Sequence, residues 1–333
     1  MINAVVVGVL AACSAGEPTG TPDPAEPSAV AGVGAAPTSQ APTSAAPQPC
    51  PLFPADNVWH ADVSRLPAHR NSAAYVASIG ADSTVHPDFG AGLYGGGPIG
   101  IPVTTVPPGT PSVRVTFEYA SESDRGPYPI PANARVESGG DRHVILHDPA
   151  RCKLYELFAA SPNADGGWRA GSGAIYDLRT NKLRPRGWTS ADAAGLPILA
   201  GLVRYEEVAR GRIDHAIRVT APRTRDAYVW PARHAASDDS DPNLPPMGLR
   251  LRLKSTVDIS RMPTQARVVA QAMQRYGVIL ADNGSPWFIS GAPDNRWNND
   301  ALRALKSLPG TDFEAIDAAS LMVSPDSAQC RST

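Results

Sequence analysis

The chain has 333 residues, 42% of them hydrophobic and 19% charged, which is enough for one large domain or two smaller ones with a sizeable core. A formal net charge of −2 gives no electrostatic reason to expect nucleic-acid binding. No apolar run reaches the roughly 18 residues of a membrane-spanning helix. The 34 prolines and 29 glycines favour many short elements joined by turns.

The N-terminus, residues 1–13, resembles a bacterial lipoprotein signal. An apolar run from Ala4 to Ala12 has the length of a secretory h-region, and Leu10-Ala11-Ala12-Cys13 resembles a lipobox in which Cys13 is acylated. The usual positive charge before the run is missing. The resemblance implies an extracytoplasmic protein that is lipid-anchored to the cell membrane. The alternative is a buried N-terminal strand with an ordinary cysteine.

Residues 14–49 form a linker in this interpretation. Eight prolines stand among Ala, Ser, Thr and Gly, a composition that cannot bury enough apolar area to offset its ordering entropy. The first aromatic residues follow Cys50. We therefore expect one β-rich globular domain over residues 50–325 and a polar tail over 326–333.

Three cysteines remain besides Cys13. In an oxidising compartment one disulfide is expected and one thiol is left over. We favour Cys50 with Cys152, because the linker ends at the first and a strand-like run begins at the second. Pairing of Cys50 with Cys330 stays open.

Runs bounded by Gly or Pro, most of them alternating with period two, predict strands. They cover residues 113–119, 143–147, 153–158, 174–178, 213–220, 227–230, 249–254, 278–281 and 287–290.

Helices are fewer, and the clearest is predicted over 263–276, with an apolar stripe and Gly277 as its stop. Shorter ones are expected at 189–192, 205–209 and 299–306. Because strands dominate and no βαβ rhythm is present, we predict a mainly-β (α+β) fold. Its core would be an antiparallel β-sandwich or jelly roll with a few peripheral helices.

The runs containing Asp141 and His143 and, after a short turn, Glu156 are predicted to pair as a hairpin. Asp141 is close enough along its strand to orient the His143 imidazole. Glu156 lies between apolar residues, and desolvation raises a carboxyl pKa, which suits a general acid. Asp177, on another strand, is a similar candidate. We predict that these four residues line one catalytic cleft, the alternatives being a solvated strand face and structural ion pairs.

Polar loop residues beside indoles are typical of sugar sites, because amides and carboxylates bind hydroxyl groups while Trp stacks on the sugar. This pattern predicts substrate contacts from Trp230, His234, Asp282 and Trp287, the alternative being that Trp287 belongs to the core. No cofactor is expected. An acidic loop at 237–241 offers oxygen ligands suited to Ca²⁺ but lacks EF-hand spacing.

Four stretches resemble a family of secreted and lipoprotein-type proteins of actinobacteria and related bacteria. The likeness extends over residues 50–322. It implies an exported single domain and carries no catalytic residue, because no activity is established for that family. The stretches are PADNVW (54–59), DRHV (141–144), WTSADAAGLP (188–197) and ILADNG (279–284).

The sequence thus predicts a cell-envelope lipoprotein acting on cell-wall or exogenous polysaccharide, as a glycoside hydrolase with two carboxylates. The alternative is a non-catalytic carbohydrate-binding or structural lipoprotein. A metal-dependent hydrolase is a weaker hypothesis, because ligand spacing is lacking.

Overall fold

The structure is a computed structural model that describes residues 50–331. The predictions for the signal at 1–13, for Cys13 and for the linker at 14–49 lie outside the described residues.

Short strands form most of the regular structure. They are β1 (His86–Asp88), β2 (Leu93–Tyr94), β3 (Gly97–Pro98), β4 (Val103–Thr105), β5 (Val115–Phe117), β6 (Val144–Asp148), β7 (Lys153–Phe158), β8 (Ser161–Pro162), β9 (Trp168–Ala170), β10 (Ser172–Asp177), β11 (Ile217–Ala221), β12 (Arg250–Leu253), β13 (Val278–Asn283), β14 (Phe288–Ser290) and β15 (Phe313–Ala315).

The α-helices are α1 (Ser72–Gly80), α2 (Ile198–Gly201), α3 (Tyr205–Ala209), α4 (Thr264–Arg275) and α5 (Asn299–Arg303). Single 3₁₀ turns occur at Val58–His60, Ala120–Glu122, Ala304–Ser307, Gly310–Asp312 and Ala319–Leu321.

Two sheets position the parts described below. The larger has the order β1-β14-β11-β13-β12-β15, and the other has the order β10-β7-β6-β4. A three-stranded sheet, β5-β9-β8, and the hairpin β2-β3 complete the set. Both larger sheets are mixed, since β11 pairs with β13 and β4 with β6 in parallel. The mainly-β α+β prediction is confirmed, with parallel pairs added to the expected antiparallel ones.

Several elements agree closely with the sequence. The β6-β7 hairpin is confirmed, with Ile145 opposite Glu156, and α3 has the predicted bounds. Helix α4 is confirmed, and its predicted apolar stripe is buried. The 299–306 helix is α-helical to Arg303 and then tightens into a 3₁₀ turn.

Two expectations for individual elements are wrong, and one helix was not predicted. Residues 227–230 form a turn with a single bridge, Tyr228 to Met247, because two consecutive prolines precede Met247 and interrupt the run that faces them. Residues 189–192 are not helical; the helix begins later, at Ile198. Helix α1 was missed, since Ser72, Ala73 and Ala74 give it only a weak apolar stripe.

The four-stranded sheet is buried on both faces. Leu154 and Ile145 point into the main core, which also covers the six-stranded sheet, while Tyr155 and Leu157 point into a second core beside β5 and β9. Because side chains alternate along a strand, Glu156 shares the face of Leu154 and points into the main core. The face on which each side chain lies determines which acidic residues can be close to one another.

Cys50 and Cys152 form a disulfide, as the sequence favoured, and Cys330 is a free thiol. Residues 326–331, part of the expected polar tail, hydrogen-bond to the domain. The N–H groups of Ala328 and Cys330 donate to the carbonyls of Asn181 and Asp56, so this segment belongs to the folded unit.

Candidate functional site

A buried arginine organises the candidate site. Arg218, the second residue of β11, donates from Nε and Nη2 to the two carboxylate oxygens of Asp192, both at 2.8 Å. Nη1 donates to Ser290 Oγ at 2.7 Å, and Nη2 also to Asp282 at 2.9 Å. A bidentate arginine–carboxylate pair fixes the orientation of both side chains as well as balancing their charges.

Helix α2 packs closely against this arginine. A Cβ added to Gly201 would lie 2.8 Å from Arg218 Cβ, so a side chain there would push the helix away from β11. Asp192 lies in the loop that precedes α2 and meets the edge of the guanidinium formed by Nε and Nη2.

The loop holding Asp192 is fixed by Ser190. Ser190 Oγ accepts the Asp192 N–H at 2.9 Å and lies 2.7 Å from the Leu196 carbonyl, which it can donate to. Hydrogen bonds of this kind compete with helix formation, which explains why 189–192 is a loop. The carboxylate of Asp192 has no solvent exposure.

Of the two carboxyl groups bonded to Arg218, that of Asp282, near the end of β13, is the one that reaches solvent. Its side chain is 25% exposed. Burial and the nearby Asp192 charge raise the pKa of Asp282, and Arg218 opposes the shift only in part. Asp282 therefore retains a proton at higher pH than an ordinary aspartate does.

His143 forms a second charged pair beside this group. Its Nδ1 lies 2.5 Å from Glu137 Oε2 and its Nε2 lies 3.1 Å from the carbonyl oxygen of Ala191. Because both nitrogens face acceptors, both carry protons, and the ring is an imidazolium. Burial opposes this charge, but Glu137 outweighs it and the pKa of His143 is raised.

A cavity of about 340 Å³ opens beside Asp192 and Asp282. Its other lining residues are Tyr119, Glu122, Phe158, Ser172, Thr189, Ser190, Ala191, Ala193 and His234.

Glu122 and His234 lie next to each other in this cavity. His234 Nδ1 lies 2.9 Å from the Ala193 carbonyl oxygen, an acceptor, so this nitrogen carries a proton. The other ring nitrogen, Nε2, lies 3.7 Å from Glu122 Oε2. The Thr189 N–H donates to the same Glu122 oxygen at 3.1 Å. The cavity thus contains a carboxyl group with a raised pKa and a second carboxylate oriented by two neighbours, the groups required for acid–base chemistry.

The four predicted catalytic residues do not all share this cavity. Glu156 is fully buried, and its oxygens accept the N–H groups of Ile198 and Leu199, each at 2.9 Å. Burial raises the pKa of Glu156 to about 7, against these hydrogen bonds. Glu156 therefore fixes the start of α2 and is not accessible to solvent.

Asp177 lies on the opposite face of the sheet from Glu156. Ala174 is the register partner of Glu156, so Asp177, three residues on, points the other way and pairs with Lys153 at 2.9 Å. Asp141 is exposed, and only His143 of the four adjoins the Asp192–Arg218 group.

The predicted substrate-binding residues are also divided. His234 and Asp282 line the cavity. Trp287 is buried, donates to the Gly80 carbonyl and stacks on Phe313, so the core alternative is correct. Trp230 donates to the Ser327 carbonyl and lines a different cavity.

Among residues 50–331, no group of three or more His, Cys, Asp or Glu side chains is arranged to hold a metal ion. In the acidic loop at 237–241, Asp239 pairs with Arg223 and accepts the Asp241 N–H.

The sequence missed Asp192, Arg218 and Glu122. Arg218 lies within the strand predicted over 213–220, but nothing in the sequence indicates that this charged residue is buried. One signal was available: Asp192 is the last residue of a Ser-x-Asp pattern, which often forms turns with hydrogen bonds from side chain to backbone.

In comparisons with protein-family models, curated proteins and solved structures, no match to this chain was found. Nor is any helix within the described 50–331 range long and apolar enough to cross a membrane.

Proposed function

We propose that this protein is a glycoside hydrolase in which Asp282 is the proton donor and Glu122 the second carboxylate. The observation that carries the proposal is the partly exposed Asp282 carboxyl. Its pKa is raised by burial and by Asp192, and it opens on a cavity that also contains Glu122. A pair of carboxyl groups with different environments is the requirement for hydrolysis of a glycosidic bond.

Carbohydrate is the substrate class that the lining favours. Tyr119, which is 46% exposed, and Phe158 supply aromatic faces suited to a sugar ring. Thr189, which is half-buried, also lines the cavity, and its hydroxyl oxygen can accept a hydrogen bond from a sugar hydroxyl.

Each residue of the site then has a distinct task. Asp282 gives its proton to the glycosidic oxygen as the bond to the anomeric carbon breaks. Glu122 takes the proton of the water that attacks that carbon, and the Thr189 N–H and His234 hold its carboxylate in place. Arg218 and Asp192 position Asp282, and their opposed charges set how readily it releases its proton.

We further propose that the protein is an envelope lipoprotein anchored through Cys13. The lipobox-like sequence supports the anchor, and the Cys50–Cys152 disulfide is a bond that persists in extracytoplasmic compartments. Mass spectrometry of protein from the native host is expected to find an acylated Cys13 at the mature N-terminus. An intact Met1 would contradict the anchor.

The experiment on function compares wild type with Asp282→Asn and, as a matched control, Asp214→Asn, whose carboxylate is at the surface. Purified full-length protein is incubated with a panel of neutral and acidic polysaccharides, and released sugars are measured by chromatography. We expect Asp282→Asn to lower turnover by about 10²- to 10⁴-fold and the control to retain it. Saturable binding without released sugar would contradict hydrolysis and identify the non-catalytic carbohydrate-binding protein.

A further inference from the structure

A second cavity, of about 460 Å³, shares no lining residue with the Asp282 cavity. Its volume lies within the range of small-molecule sites. Among the residues that the structure describes, four arginines and His69 line it, and Asp317 is the only acidic one that does. The arginines are Arg186, Arg225, Arg233 and Arg250.

Two of these arginines share one carboxylate, which offsets one of their two positive charges. Arg186 and Arg233 both pair with Asp326, at 3.2 and 2.8 Å. The other two arginines of the cavity have no carboxylate partner among residues 50–331, so the lining keeps a net positive charge.

Arg250 is buried without a carboxylate partner among residues 50–331. Its guanidinium donates only to backbone carbonyls, those of Val58, Ala61 and Tyr276, and burial lowers its pKa to about 10. Carbonyl dipoles satisfy its N–H groups and leave its net charge uncompensated, so the cavity wall is positive.

Arg225 has an unused hydrogen-bond donor at the same cavity. Its Nε is buried and has no partner, and its guanidinium forms no ion pair within the described range 50–331. A buried donor without a partner costs free energy, and a planar guanidinium is suited to two oxygens of one anion. An oxyanion in the cavity would neutralise this guanidinium, and the side chain must turn for the buried Nε to donate to it.

The remaining wall is apolar and aromatic. Tyr228 and Val229, which are 37% and 38% exposed, line this cavity. Trp230 lines it too, and because its Nε1 is bonded to the Ser327 carbonyl, the rest of its ring contributes apolar surface. A ligand here would place an apolar or sugar-ring face against these side chains.

We propose that this cavity is a second binding site, which takes a monosaccharide-sized organic oxyanion with its acidic group on Arg225 and its ring face on Tyr228 and Trp230. The site does not depend on hydrolysis at Asp282, and it is tested without any measurement of turnover. A sugar carboxylate and a sugar phosphate present the same oxyanion chemistry, so the test includes both.

Isothermal titration of the full-length protein with glucuronate, glucose 6-phosphate, glucose and inorganic phosphate distinguishes these ligands. We expect saturable binding of at least one organic anion, with no heat from glucose and weaker binding of inorganic phosphate. Arg225→Gln is expected to weaken that binding at least ten-fold, whereas Arg210→Gln, which removes an exposed arginine elsewhere, leaves it unchanged.

Tyr228→Ala provides an independent variant at the cavity should Arg225→Gln fail to fold, and it is expected to weaken the organic anions but not inorganic phosphate. Equal affinity in wild type and in whichever of these two variants folds would overturn the proposal, as would equal weakening by Arg210→Gln. Absence of saturable binding by either organic anion would also overturn it.

Discussion

Glu156 shows how one buried carboxyl group can be structural and still titrate near neutrality. Its two oxygens hold the N–H groups at the start of α2, between the two large sheets. Burial raises its pKa from an ordinary 4.5 to about 7, so the folded state binds a proton more tightly than the unfolded chain does. The stability it contributes is full below pH 4.5 and is lost as pH rises through 7, a change of about 3 kcal/mol.

Glu156→Gln is therefore expected to destabilise the protein more at pH 5 than at pH 8. At pH 5 the glutamine NH₂ faces an N–H donor and one hydrogen bond is lost, at a cost of about 1–3 kcal/mol. At pH 8 the wild-type protein has lost the stability that the protonated Glu156 contributed, so its free energy of unfolding exceeds that of the variant by less. Urea unfolding at both pH values measures the difference, with Glu118→Gln at the surface as control. A wild-type advantage that grows with pH would mean that the ionised carboxylate is the stabilising form.

At the scale of elements, β7 and β10 are joined on one face by the cross-strand pair of Lys153 and Asp177. Both side chains are about one-third exposed, so solvent screens their attraction. A double-mutant cycle with Lys153→Met and Asp177→Asn is expected to give a coupling free energy of about 0.2–1 kcal/mol. A coupling free energy above about 2 kcal/mol would refute this estimate of screening.

The elements that could be predicted are those whose signals lie within their own stretch of sequence. Period-two alternation in β6 and β7 and the Pro263 and Gly277 boundaries of α4 are local, so the sequence alone indicates them. Helix α1 lacks such a stripe and depends on packing against β15 and neighbouring turns.

The candidate site was harder to predict, because its partners are distant in the chain. Asp192 and Arg218 are separated by 26 residues, and which of many arginines meets a given carboxylate depends on sheet order and register. Register also separates Asp177 from Glu156, although both lie on correctly predicted strands. Of the predicted site residues, His234 and Asp282 line the cavity.

At the scale of the whole molecule, the Cys50–Cys152 disulfide ties the start of the described chain to the turn after β6. It closes a sequence separation of 102 residues, and cross-links over long loops remove the most entropy from the unfolded chain. Cys50→Ser is expected to lower the free energy of unfolding by about 2–5 kcal/mol.

Denaturant unfolding with and without dithiothreitol tests this expectation. Wild type should lose stability on reduction, whereas Cys50→Ser should not change further. Cys330→Ser serves as control, because it keeps the disulfide. Equal stability of oxidised wild type and Cys50→Ser would show that packing alone holds this segment.

The proposed hydrolysis requires that Asp282 hold a transferable proton near neutral pH while facing the cavity. A ¹³C NMR titration of the aspartate carboxyl groups, assigned with Asp282→Asn, measures this directly. We predict that the pKa of Asp282 lies well above the ordinary aspartate value. The pKa of Asp177 is the internal reference and should lie below that value, because Lys153 and the Arg179 N–H outweigh its partial burial. An Asp282 pKa at or below the ordinary aspartate value would contradict the account, since the carboxylate would then be only an ion-pair partner of Arg218.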